Sequence, residues 1–157
     1  MPKHTMSKHL VLLALMTLSL VACNNEDNTN EIFDSGVWKV VNFFGANEWS
    51  SLNDGGRPVF TTEADLKVVQ QLSVTFHDDG SLQGSFVGGT FVGKWSANGK
   101  DRTISVTNIS TTDGPSGISL MFLNVLKEVA YYKGDSNYLK LAPNERNSYI
   151  QFTHRTD

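Results

Sequence analysis

The stretch Leu72–Trp95, LSVTFHDDGSLQGSFVGGTFVGKW, decides the fold. Leu72, Val74 and Phe76 alternate with Ser73, Thr75 and His77, the period of a strand that buries one face. Asp78-Asp79-Gly80 interrupts the run with residues that tolerate positive φ. Leu82, Gly84 and Phe86 resume the alternation, so residues 72–87 predict a hairpin. Gly88-Gly89 is a second turn. Phe91, Gly93 and Trp95 begin a third strand, with Gly93 suited to a close approach or a bulge.

The same grammar extends to both sides. Val37–Phe44 (VWKVVNFF) is β-branched and aromatic, is bounded by Gly36 and Gly45, and reads as a strand. Asn98-Gly99 turns into a short strand over Thr103–Val106. Asp113-Gly114-Pro115-Ser116 then breaks the pattern, and Ile118, Phe122, Val125, Leu126 and Val129 follow at helical spacing. The continuous apolar run Ile118–Leu123 leaves a strand as the competing reading there. Tyr131-Tyr132 leads to a turn at Gly134–Asn137. Leu139 and Leu141 mark a strand, Asn144–Asn147 a turn, and Ile150 and Phe152 the last strand. The fold expected is mainly β (α+β): an antiparallel meander curled into a sandwich or partly open barrel, with one helix packed on it. Ala46–Gln71 is long for a connection. It contains a turn at Asn53–Gly56 and a short helix from Thr62 to Val69, and is either a binding element or an elaboration of the fold. Trp38, Trp95, Phe76 and Phe86 are expected in the core.

The N-terminus reads as a processing signal. Lys3, His4, Lys8 and His9 precede the apolar run Leu10–Val21, whose twelve residues are too few to span a bilayer as a helix. Leu20-Val21-Ala22-Cys23 looks like a bacterial lipobox, in which the thiol is acylated and cleavage leaves Cys23 first. Cys23 is the 1 cysteine of the chain and stands where that chemistry requires it. Two or three acyl chains suffice to hold a protein on a membrane. Residues 1–22 are thus expected as leader, 23–35 as a flexible polar tether, and 36–157 as the β-rich domain. The acidic pair Glu26-Asp27 resembles the surface-export signal of Bacteroidota lipoproteins. The address expected is the outer membrane, facing either the periplasm or the outside.

Composition narrows the function. The 157 residues carry 13 Lys+Arg and 16 Asp+Glu, a charge of −3. Loss of Lys3 and Lys8 with the leader makes the mature chain more acidic still, against nucleic acid as a partner. A single cysteine leaves no disulfide framework and no four-cysteine zinc site. Of 4 histidines, only His77 and His154 lie outside the leader. No nucleophile-elbow motif accompanies them. His77-Asp78-Asp79 offers metal-ligand types, but neighbouring strand residues point to opposite faces. No catalytic residue, metal or cofactor is expected, and a monomer is. Four aromatics, Trp49, Tyr131, Tyr132 and Tyr138, are not required by core alternation. They could stack on a sugar or a partner protein, or cap the ends of the sheet.

The order of these parts resembles the META/HslJ-like domain over about Val37–Phe152. The family's opening strand with Trp matches Trp38-Lys39-Val40-Val41. Its central block matches Leu72–Phe76, Asp79-Gly80, Gly84-Ser85-Phe86 and Phe91-Val92-Gly93-Lys94-Trp95. Its closing elements match Leu123–Tyr132, Asn137-Tyr138-Leu139-Lys140-Leu141 and Ile150-Gln151-Phe152. Val87-Gly88-Gly89 stands where many members carry Cys-Asn, and Ser116–Ser119 where an acidic residue often starts the helix. The resemblance implies a divergent member with an envelope-associated, non-catalytic role in binding or structure. The opening Trp, the turn Phe76–Gly80 and Gly93-Lys94-Trp95 also resemble small lipocalin-like lipoproteins, which would imply a carrier of an apolar ligand. A filled centre favours the first and an apolar cavity the second.

Overall fold

Residues 26–46, 48–50 and 54–154 are described by a computed structural model. The expected leader, Cys23 and Asn53 of the expected turn lie outside the described residues. Helix α1 (Thr29–Phe33) leads into strand β1 (Val37–Gly45), then the two-residue β2 (Arg57–Pro58) and helix α2 (Glu63–Val69). Four strands follow: β3 (Ser73–Phe76), β4 (Ser81–Phe86), β5 (Gly89–Asn98) and β6 (Thr103–Thr111). Helix α3 (Gly117–Glu128) runs into β7 (Val129–Gly134), β8 (Tyr138–Pro143) and β9 (Ser148–Thr153).

The fold is mainly β. The nine strands among the described residues belong to one antiparallel sheet, and β1 pairs with both β3 and β9, so the sheet closes in a ring. The ring is not a regular barrel, because β6 and β7 share a single ladder pair, Thr103 with Tyr131. The turns are made as the residues suggest. Asp79 accepts from the Ser81 amide at 2.8 Å and from its hydroxyl at 2.6 Å, while Gly80 supplies φ +83. Gly84 sits opposite Phe91, whose ring fills the space a Cβ would need.

Side chains from all sides fill the interior. Trp38, Phe76, Phe122, Phe152, Leu126, Leu139 and Leu141 are fully buried. Phe122 of α3 packs on Phe43, Phe91 and Phe152, toward one end of β5. Phe33 of α1 packs on Phe76, Trp95 and Tyr132 at ring-centroid distances of 5.0–5.1 Å, farther along β5. Helix α2 is capped by Thr62, whose hydroxyl accepts from the Asp65 amide at 3.2 Å and donates to the Asp65 carboxylate at 2.8 Å. It buries Val69 and packs on α3 and β1.

Two features depart from the sequence reading. Residues 29–33, inside the segment read as tether, form a helix capped by Asn28, and Ile32 and Phe33 are buried. Tyr132, read as an exposed aromatic, is 1% exposed. Adjacent strand residues cannot both face outward, and the register shift between Val129 and Tyr131 turns Tyr132 toward the core. Because Phe33 touches β3, β5 and β7 at once, Phe33→Ala is expected to cost about 3–5 kcal/mol in chemical denaturation, the range for a fully buried aromatic.

Candidate functional site

Register creates the site. On the outer face of β7 and β8, Lys133 stands directly opposite Lys140. Like charges so placed repel. Asp54, from the long β1–β2 connection, inserts between them: Lys133 Nζ lies 2.6 Å from Oδ1 and Lys140 Nζ 3.0 Å from Oδ2. Asp54 is 4% exposed. Its Oδ1 also accepts from the Ser50 amide at 3.2 Å, its carbonyl accepts from the Glu48 amide at 2.9 Å, and Lys133 donates to the Ser50 carbonyl. Burial alone would raise the Asp54 pKa. The hydrogen bonds and charges of Lys133 and Lys140 together outweigh it and hold the carboxyl below the usual range.

Aromatic rings surround the clamp. Lys133 Nζ sits 4.3 Å from the Trp49 ring centroid, and Lys140 Nζ lies 4.9 Å from Tyr149 and 6.0 Å from Tyr138. Tyr149 is stacked on Phe44, its cross-strand neighbour, at 4.9 Å and 13°. Gly56 passes beside this stack, where a Cβ would press on the Phe44 Cβ and the Tyr149 ring. Of the four aromatics singled out in the sequence, Trp49 and Tyr138 come together here. Tyr131 stands apart under Arg146, 4.7 Å from its guanidinium, and Tyr132 lies in the core. Sequence reasoning missed Asp54, Lys133, Lys140 and Tyr149. Lys133 and Lys140 carried a usable signal, since a hairpin through Gly134–Asn137 sets them across from each other.

Beside the clamp is a pocket of about 270 Å³ lined by Asp27, Arg102, Lys133, Gly134 and Tyr138. Arg102 grips Asp27 at two points, Nε to Oδ2 at 3.0 Å and Nη2 to Oδ1 at 3.4 Å. Tyr138 is 40% exposed. Fixed donors, a carboxylate acceptor and an open aromatic ring equip the pocket for a polar ligand with one apolar face. Beneath it, burial pushes the Tyr132 phenol up, and the Asp27 carboxylate adds to the effect, so Tyr132 stays neutral.

The two histidines are used elsewhere. The His77 carbonyl accepts from Trp95 Nε1 at 2.8 Å. His154 Nδ1 lies 2.7 Å from the Val37 carbonyl, which can only accept, and Nε2 lies 2.8 Å from Ser35 Oγ. Ser35 Oγ also donates to the Ile32 carbonyl at 2.6 Å. Ser35 Oγ and His154 Nδ1 are thus each also held by a backbone carbonyl, those of Ile32 and Val37. The ring lies against Trp38, 3.6 Å between centroids. These contacts pin α1 to the start of β1 and the end of β9.

Residues 24–154 match a family model described as a domain of unknown function, DUF4847. The chain is similar to a DUF4847 family protein from Bacteroides vulgatus, whose crystal structure was solved at 1.00 Å. The two share 34% identity and a TM-score of 0.74 over 83% of this chain and 99% of that one. A protein from Burkholderia xenovorans, solved by NMR, shares 17% identity and a TM-score of 0.54 over 100% of both chains, a likeness of fold alone. No curated protein matches the chain. These matches overturn the META/HslJ-like resemblance and its lipocalin-like alternative. The physical reason is that strands alternating with Gly turns recur in any antiparallel meander.

Asp54→Asn leaves two facing lysines without their carboxylate. It is expected to cost about 2–4 kcal/mol, below the full cost of breaking a buried pair because both lysines keep some solvent. The native pKa lies below the ordinary 3.8, so this contribution is present above that value and is lost as pH falls through the depressed one. Denaturation midpoints of the two proteins should differ by a constant amount above about pH 5 and converge as the pH falls below the ordinary carboxylate range.

Proposed function

The chain belongs to the DUF4847 family, and on that footing we propose that it is a lipid-anchored cell-envelope protein, a non-catalytic binding module held on the outer membrane through acyl chains on Cys23. One observation carries the anchor. The solitary sulfur closes a lipobox, and the family match begins at residue 24, immediately after it. A relative from Bacteroides agrees with the resemblance of Glu26-Asp27 to a Bacteroidota export signal.

The binding face we assign is the outer surface of β7–β9, where the pocket lined by Arg102, Lys133 and Tyr138 opens beside a rigid clamp. The clamp gives that face its preorganisation, since Lys133 and Lys140 are already oriented and partly desolvated before any ligand arrives. A carrier of an apolar ligand finds less support, because Phe33, Phe76, Phe91, Phe122 and Phe152 occupy the centre of the ring. The Ser35–His154 contact supports a structural reading, since both side chains also hold backbone carbonyls where α1 meets β1.

Cys23→Ser tests the anchor. In a lipoprotein-processing host, the native chain should incorporate labelled palmitate and sediment with the envelope, and the variant should do neither. An unlabelled native chain, or a variant that still sediments, contradicts the proposal.

A further inference from the structure

The point where the chain leaves the fold is fastened to one end of the ring. The Asp27 amide donates to the Gly99 carbonyl in the β5–β6 turn at 3.2 Å. Gly99 is buried, and a Cβ there would strike the Asp27 backbone, so the segment lies in a groove that only glycine leaves open. Arg102 holds the Asp27 side chain, and α1 follows at once with Phe33 in the core.

This docking shortens the tether. A free segment through residue 35 would give twelve residue steps beyond Cys23, a reach of about 43 Å at most. With Asp27 fastened, four steps remain, about 14 Å. We propose that the β5–β6 end of the ring, with Lys100, Arg102 and the adjoining pocket, faces the bilayer in one orientation and meets the lipid headgroups. This rests on acylation of Cys23. Lys100 is an exposed cation at this end, Arg102 is engaged by Asp27, and Tyr138, at the pocket mouth, is an amphipathic ring of the kind that settles at headgroup level. Asp27 lines this pocket and also its neighbour, formed with Asn28, Glu31, Ile32 and Asp135, so both openings flank the exit of the anchored chain. The opposite end, at Val87 in the β4–β5 turn, lies about 30 Å farther from the membrane along β5.

The test uses the full acylated chain in vesicles of phosphatidylethanolamine and phosphatidylglycerol that carry a headgroup nitroxide. A fluorophore is placed on Lys100→Cys or on Val87→Cys; thioether formation leaves the new thiol free to be labelled alone. Quenching should be several-fold stronger at position 100. Gly99→Ala should erase the difference while flotation with the vesicles is unchanged. Arg102→Gln, which leaves the backbone groove intact, should narrow it. Equal quenching at both positions in a chain that floats overturns the orientation alone. A chain that does not float overturns the anchor and the orientation together.

Discussion

The ring has one weak seam, and the rest of the structure is organised around closing it. Between β6 and β7 the backbone contributes one ladder pair, Thr103 with Tyr131, made in part by the bond from the Tyr132 amide to the Arg102 carbonyl at 3.1 Å. A sheet cannot be held shut on so few hydrogen bonds. Side chains supply what the backbone does not. Phe33 touches Trp95 on one side of the seam and Tyr132 on the other. Helix α3 packs on β6 and β8, bridging the same gap. Both helices belong to the closure, and α1 does so although it has only five residues. A helix that short is unstable alone; it persists because Phe33 is fully buried and because Asn28, Ser35 and His154 tie down its two ends.

The outer face obeys a related constraint. Hairpin register forces two lysines together, and one buried carboxylate resolves the conflict while drawing the long β1–β2 connection across the strands. That connection therefore has a structural task, and the same contacts leave Lys133 fixed at the edge of an open pocket. Stability and the candidate binding face thus share one set of atoms. Substitutions in the clamp should alter both, whereas Tyr138, which stands at the rim with 40% exposure, can be changed with little effect on the fold.

What could be read in the sequence was what is written locally. Strict alternation in Leu72–Trp95 and apolar spacing in Ile118–Val129 each name an element within a dozen residues, and β3 to β5 and α3 occur where those patterns place them. The short helix read from Thr62 to Val69 is α2. Helix α1 lay hidden because its two apolar residues end a polar stretch, and only contacts with distant strands make them core. Tyr132 was misplaced because a register shift cannot be seen in one strand alone. The clamp was illegible for a different reason: Asp54 meets Lys133 and Lys140 across 79 and 86 residues, and no local pattern encodes such a meeting. The family resemblance went astray because strand order and glycine turns are common to meanders, while the pairing of the first strand with the last is not written in them.

Native-state hydrogen exchange on the full chain tests most directly whether the N-terminal segment is part of the closed ring. The amides of Ile32 and Asp34, bonded to the Asn28 and Asn30 carbonyls at 3.3 and 2.9 Å, should exchange as slowly as the Tyr132 amide across the seam. If they exchange at the rate of an unstructured peptide while Tyr132 stays protected, α1 is a tether after all, and the account of how the ring is closed is wrong.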